Sequence, residues 1–438
     1  MNISRICLSF LPKRFYAAQP KPSGTCLQSE LKTDTLSNKI VVASYDSPVP
    51  GLCKVAVAVR AGSRYESHDN LGVSHVLRSS AGLSTKHATH FAISKNLQQI
   101  GATLSATSDR ETIVYMLETT VDNLDCGLQY LKYSICGQEF RPWELSDNLP
   151  RLKYELAIVP PEVKVLDMIH KAAYRSELGN PLFAKKDRIS KISAETLQQF
   201  VTCNFLSSRT SVAGIGVDHE VLKSFAEGLD YPTHEGETAC SPYHGGEVRK
   251  EKNLPFVHSI IAAESCGLNK KDVFAFAVLR YALGAGSNVS SGIGCSPLSR
   301  VLGNSLGPVS ARAISISHSD TGLFGVYIKC VPEDAVNAVP AVIKALKSGV
   351  TAEDINRGKA QLKSQLLFCA ESADDLVHDI ANQCALIKCA RSPMQLSQEV
   401  ESVTANQVKQ ALDKVVAGKK SMASLGNIFC VPYLSDIH

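Results

Sequence analysis

Along this 438-residue chain, short runs of alternating or continuous apolar residues give way to apolar positions spaced by three and four, and the exchange recurs. Ile40 to Ser44 and Val55 to Arg60 read as strands joined by a turn at Pro48-Val49-Pro50-Gly51. Gly72 to Thr85 reads as a helix. A second helix follows at Phe91 to Ile100, with Phe91, Leu97 and Ile100 on its apolar side and Gly101 as its stop. Ala102 to Leu117 places β-branched and aromatic residues on either side of a polar turn, the pattern of a hairpin. Val121, Leu124, Leu128, Leu131 and Ile135 fall at helical spacing. Trp143 to Ile158 is helical again, and Pro160-Pro161 ends it.

The second part of the chain repeats the first. Ile189 to Phe205 opens with a helix start at Ser193 and leads through Arg209 into a strand, Ser211 to Ile215. At a spacing of 211 residues, Val400 to Val416 leads through Lys420 into the strand Ser421 to Leu425. Thr404 and Gln407 have capping-box spacing, with Ser193 at the matching position of the earlier copy. Asp122–Ile135 and Glu333–Leu346 are amphipathic helices at the same separation. So long a period implies two duplicated domains, at 38–230 and 242–438, joined by a linker at 231–241. Hairpins adjacent in sequence, without strict βα alternation, favour an α+β class: in each domain, a mostly antiparallel sheet with helices on one face.

Composition adds little to this picture: 44% hydrophobic and 20% charged is ordinary for a globular protein. The charge of +4 resides largely at the N-terminus. Residues 1–16 hold Arg5, Lys13 and Arg14 and no acid, and without them 43 basic side chains face 42 acidic ones. A body so nearly neutral argues against a nucleic-acid partner. The same segment, basic and free of acids, ends in Arg14-Phe15-Tyr16-Ala17 and reads as a mitochondrial transit peptide removed after Tyr16. Residues 17–37 read as a linker. No apolar run is long enough to span a bilayer, so membrane association would go through partners. Fourteen cysteines with no C-x-x-C pair suit free thiols rather than a zinc ribbon or redox dithiol.

One helix carries candidate chemistry. Gly72-Val73-Ser74-His75-Val76-Leu77-Arg78-Ser79, with Thr85 beyond it, has the frame of the inverted zinc motif H-x-x-E-H. In that motif, imidazoles at i and i+4 bind zinc and the Glu between them acts as general base. Here His75 keeps the first position, Arg78 stands at the base and Ser79 at the second ligand. The frame, the strand exit Ala61-Gly62-Ser63-Arg64-Tyr65-Glu66, and the hairpin bearing Thr107, Arg110, Glu111 and Tyr115 resemble the pitrilysin/insulinase-like metallopeptidases. The resemblance covers nearly the whole chain beyond the leader. It is narrowest to the mitochondrial branch, through Phe140–Glu144, Tyr243–Arg249, Leu283–Gly286, Ser319–Gly325 and Gly418–Ser424.

The resemblance implies Glu155 as the distal carboxylate ligand, 76 positions after Ser79. His75 and Glu155 are two ligands where catalytic zinc takes three, and Arg78 adds a fixed cation. No catalytic residue, metal site or cofactor is therefore expected, with His75, Arg78, Ser79 and Glu155 as the degenerate positions and an Arg78–Glu155 ion pair as a hypothesis. His87 and His90 lack a third ligand and read as surface or cap residues. Gly284 to Gly294 lacks both phosphate-loop and dinucleotide spacing and resembles a shortened form of the family's glycine-rich loop. In the branch it resembles, the chain would be a structural core subunit of respiratory complex III on the matrix side of the inner membrane. Its partners would be the first core subunit, cytochrome b, cytochrome c1 and the Rieske subunit. The other reading is the zinc-free α-like partner of a mitochondrial processing peptidase.

Overall fold

A computed structural model describes residues 30–46, 51–236, 240–285, 296–303 and 309–436. The expected transit peptide, most of the 17–37 linker, the turn at 48–50 and the glycine-rich run from 286 onward lie outside the described residues. The first half contains β1 (Leu31–Thr35), β2 (Val41–Tyr45), β3 (Leu52–Val59), α1 (Val73–Ser79), α2 (His90–Gln99), β4 (Thr103–Ser108) and β5 (Ile113–Thr120). It continues through α3 (Leu124–Cys136), α4 (Pro142–Ile158), α5 (Pro161–Tyr174), α6 (Ala194–Asn204), β6 (Thr210–Ile215) and α7 (His219–Glu227). The second half contains β7 (Gly246–Glu251), β8 (Val257–Glu264), α8 (Val273–Leu283), α9 (Pro297–Gly303), β9 (Ser310–Ser317) and β10 (Gly322–Cys330). After these come α10 (Ala335–Lys347), α11 (Ala352–Glu371), α12 (Ala373–Ile387), α13 (Pro393–Ser402), α14 (Ala405–Ala417) and β11 (Lys420–Gly426).

The duplication is visible in the sheets. The first runs β1-β2-β6-β3-β5-β4 and the second β7-β11-β8-β10-β9, the same order once β1 is set aside. In each, one pair is parallel, β2 with β6 and β7 with β11, and the others are antiparallel. Leu124 opening α3 and Ala335 opening α10 stand 211 apart, as do Ala194 opening α6 and Ala405 opening α14. Thr404 and Gln407 form the expected capping box, and Ser193 accepts from Thr196 N–H in the earlier copy.

Each sheet is covered on both faces, not one. Val42, Val55, Val57 and Val59 point into a large core with Leu77, Ile93, Leu131 and Leu197. Their neighbours Val41, Ala43, Ala56, Ala58 and Ala213 point the other way, onto α12, whose Val377, Ile380, Ala381 and Cys384 come from the second half. The alanines let the helix approach closely. The second sheet mirrors this, with Ile260, Ala262, Ala423 and Leu425 covered by Val165, Ile169 and Ala173 of α5 from the first half. The halves have thus exchanged one helix each, across the 231–241 segment.

Three local expectations differ from the structure. Residues 31–35, expected within a linker, form β1 on the open side of β2; the strand is almost wholly exposed, so it carries no apolar pattern. Phe91 is 75% exposed, and Ile93 takes the core position with Leu97. Val121 likewise lies outside, in the turn before α3. Pro160-Pro161 ends α4 as expected, but Pro161 also opens α5, where a missing N–H is no loss.

Between the halves lies a buried polar cluster. Arg64 Nη1 donates to Glu111 Oε1 at 2.7 Å, and its two terminal nitrogens clamp Asp320 at 2.9 and 2.5 Å. Ser319 donates its N–H and hydroxyl to Glu111. Nearby, His170 Nε2 of α5 meets His318 Nε2 at 3.2 Å.

Candidate functional site

Helix α1 is built from its N-terminus. Gly72 precedes it at φ +95°, and a Cβ there would lie 2.4–2.6 Å from Ala184, so glycine is required twice over. Glu66, leaving the strand exit, supplies the cap. Its carboxylate accepts from Gly72 N–H at 2.7 Å and from the N–H and hydroxyl of Ser74 at 2.8 and 2.6 Å. Burial pushes the Glu66 carboxyl up to about 7 although these three donors pull it down.

His75, Arg78 and Ser79 then face α4. Arg78 Nη2 donates to Glu155 Oε2 at 2.5 Å. His75, 1% exposed, holds Nε2 at 3.4 Å from the same oxygen without hydrogen-bond geometry, and its ring packs edge-on against Phe183. Burial, with Arg78 adding repulsion, lowers the His75 pKa to about 4, so the imidazole is neutral near pH 7. Burial alone would raise the Glu155 carboxyl, but Arg78, His75 and Arg151 hold it below its ordinary range. Ser79 is occupied otherwise: Asn148 Nδ2 donates to its carbonyl and its hydroxyl oxygen at 3.1 and 3.0 Å. One turn further on, Ser84 donates its N–H and hydroxyl to Glu144 of α4.

The donor set does not fit zinc. An imidazole and a carboxylate are present, but the carboxylate oxygen nearest the imidazole is already bonded to a guanidinium. A dication there would sit beside a permanent cation. Among the described residues, no group of three or more His, Cys, Asp or Glu side chains is arranged to hold a metal ion. His87 and His90 diverge: His87 stacks on Tyr133 at 4.6 Å, and His90 Nδ1 lies 2.7 Å from Gly82 O. The described cysteines are all free; Cys53, Cys266, Cys330 and Cys384 are buried, while Cys203, Cys240, Cys369 and Cys389 are exposed.

Comparison with known proteins gives the family. Residues 41–186 match the insulinase family, peptidase family M16, and residues 191–362 match the family's "Peptidase M16 inactive domain". The "Cytochrome b-c1 complex subunit 2, mitochondrial" of Rattus norvegicus is 33% identical over 97% of this chain and 98% of its own length. The human protein of that name is 32% identical with the same coverage. The chain belongs to the insulinase (M16) family. A further M16 relative, the "Probable mitochondrial-processing peptidase subunit alpha-1, mitochondrial" of Arabidopsis thaliana, is 30% identical over 93% of this chain and 84% of its length.

Of the positions expected from the sequence, the structure brings His75 and Arg78 against Glu155 and sets Ser79 on Asn148 instead. Sequence reasoning missed Glu66, Glu144 and Asn148, the residues that hold the helix. Asn148 lies seven residues before Glu155, two helical turns away on the same face of α4, and that spacing was the available signal.

Proposed function

We propose that the chain is a non-catalytic structural core subunit of mitochondrial respiratory complex III. The reading rests on one observation above others: end-to-end similarity to cytochrome b-c1 complex subunit 2 proteins, with neither chain leaving a large segment unmatched. The site supports it. Arg78 occupies the place of a metal-activated water's base and bonds the carboxylate a metal would need, so α1 and α4 are cross-linked as a wall rather than opened as a catalytic cleft. On this reading the chain pairs with the first core subunit and supports cytochrome b, cytochrome c1 and the Rieske subunit from the matrix side. No described helix is long and apolar enough to cross a membrane, which fits attachment at the surface. The expected leader, cleaved after Tyr16, would deliver it to the matrix.

The alternative is the zinc-free α-like subunit of a processing peptidase, favoured by the relatives of that name at 26–30% identity. Blue-native electrophoresis of mitochondria separates the two. Co-migration with the b and c1 haem signals is expected. Migration solely as a small soluble heterodimer with peptidase activity would refute the core-subunit reading.

A further inference from the structure

The corner of the second sheet at the N-terminal end of α5 holds uncompensated charge. Lys250, Leu425, His258 and Lys329 are partners across four neighbouring strands, so their side chains share one face. Leu425 packs under α5, which fixes that face as the one α5 covers. Lys252 follows two residues after Lys250 and donates its N–H to Gly426 O. Lys164, in the first turn of α5, feels both: its pKa is lowered by burial first and then by Lys252 and Lys250. Arg312 lies on the same face, opposite Tyr327, and is bonded to Glu162 at 2.8 Å. That carboxylate is thereby occupied, and among the described residues none of Lys164, Lys250 and Lys252 has an ion-pair partner.

The duplication supplies an internal control. At the matching corner of the first sheet, Glu118 stands where the repeat puts Lys329, 211 positions on. There Lys54 is held between Asp374 of α12 at 2.5 Å and Glu118 at 3.5 Å. The first corner is neutralised from within the chain, whereas the second is not. Like charges gathered without a counter-ion destabilise the isolated fold, so an external anion is the physical complement. The chain leaves β11 at Gly426, the residue bonded to Lys252, and three positions later Phe429 is 93% exposed. Long-stemmed lysines at one sheet corner, with an exposed aromatic three residues past the end of β11, match a bilayer's headgroup layer, where ammonium groups meet phosphates and a ring rests at the polar–apolar boundary.

We propose that this corner docks on an anionic phospholipid surface, with Lys164, Lys250 and Lys252 against headgroup phosphates and Phe429 inserted at headgroup level. The proposal does not depend on the core-subunit reading, since it concerns this chain's own surface. Its test is sedimentation of the full chain with vesicles of phosphatidylcholine alone or with phosphatidylglycerol as the minor component. Binding is expected on the mixed vesicles, weakening steeply as salt rises. The triple variant Lys164→Gln/Lys250→Gln/Lys252→Gln should lose about ten-fold or more in partitioning, and Phe429→Ser should lose binding while retaining the salt dependence. A control triple at the basic loop, Lys185→Gln/Lys186→Gln/Lys191→Gln, should bind like the parent, and thermal melting should show every variant folded. Equal binding to both vesicles, or an unaffected first triple, would overturn the proposal. So would a preference for soluble polyglutamate over vesicles, which would assign the corner to an acidic protein segment. Competition by millimolar inorganic phosphate would reduce the surface to a free-phosphate site and overturn the docking as well.

Discussion

At the scale of single residues, α1 lacks the donor set that a metal would need. A neutral, buried imidazole and an ion-paired carboxylate remain, and the guanidinium between helix and carboxylate replaces the cation that zinc would have been. This predicts an order of restoration. Ser79→His alone should bind zinc no better than the parent, because Arg78 still holds Glu155. Arg78→Glu together with Ser79→His should bind stoichiometric zinc by equilibrium dialysis. Tight zinc binding by the parent chain would contradict the account of the site.

The same residues set a pH dependence. His75 has a folded pKa of about 4, below the unfolded value near 6.5. Its contribution is complete above pH 6.5 and is lost as pH falls toward 4, on the order of 2–3 kcal/mol. Glu111 also has a folded pKa depressed, to about 2: burial opposes the shift, but His318, Ser319 and Arg64 outweigh it. Its contribution is lost below pH 4.5. Glu66 works in the other direction, since a folded value near 7 makes its neutral form the stabilising one, and that contribution fades between pH 4.5 and 7. Urea midpoints of the parent and His75→Gln, taken at pH 7 and pH 4.5, isolate the first effect. The variant should lose less stability across that interval than the parent, and a parallel loss would remove His75 from the explanation.

At the scale of elements, the sequence revealed most of what is periodic and little of what is exchanged. The two copies of α3 and α10, the hairpin of β4 and β5, and the cap at Thr404 follow from apolar spacing and capping chemistry, which act over a few residues. His75, Arg78 and Ser79 were singled out because a motif is also local, and Glu155 by the distance that the family resemblance implies. β1 was not legible: Leu31 to Thr35 present most of their side chains to solvent and are held by the open edge of β2 and by the pairing of Asp34 with Lys223 of α7. Nor was the role of α5, whose apolar face reads the same whether it covers its own sheet or the other. The signal was indirect. Ala43, Ala56, Ala58 and Ala213 put small apolar residues on the outward face of the first sheet, a face that water would not favour, and something had to cover it.

At the scale of the whole molecule, that exchange makes the halves interdependent. The first sheet lacks its outer cover without α12, and the second lacks its own without α5. The cluster of Arg64, Glu111 and Asp320 would leave buried charge behind if the halves parted, a loss of about 3–5 kcal/mol for one broken partner. Two separately folding units would give two unfolding transitions, whereas exchanged covers couple them into one. Cutting the chain within 231–236, on the exposed segment between the halves, tests this directly. Residues 242–438 made alone would contain α12 with no sheet to lie on, and a second sheet whose Ile260, Ala262 and Leu425 meet water. That fragment should be insoluble or should bind hydrophobic dyes, as should the first half alone. Co-expression of the two fragments should restore a soluble complex that melts in a single transition. Introducing Ile380→Ala into the second fragment should lower that melting temperature, because the residue belongs to the second half but fills the first half's core, where truncation costs about 2–5 kcal/mol. If either fragment folds cooperatively by itself, the shared helices are decoration on two autonomous domains, and the coupling inferred from their exchange does not hold.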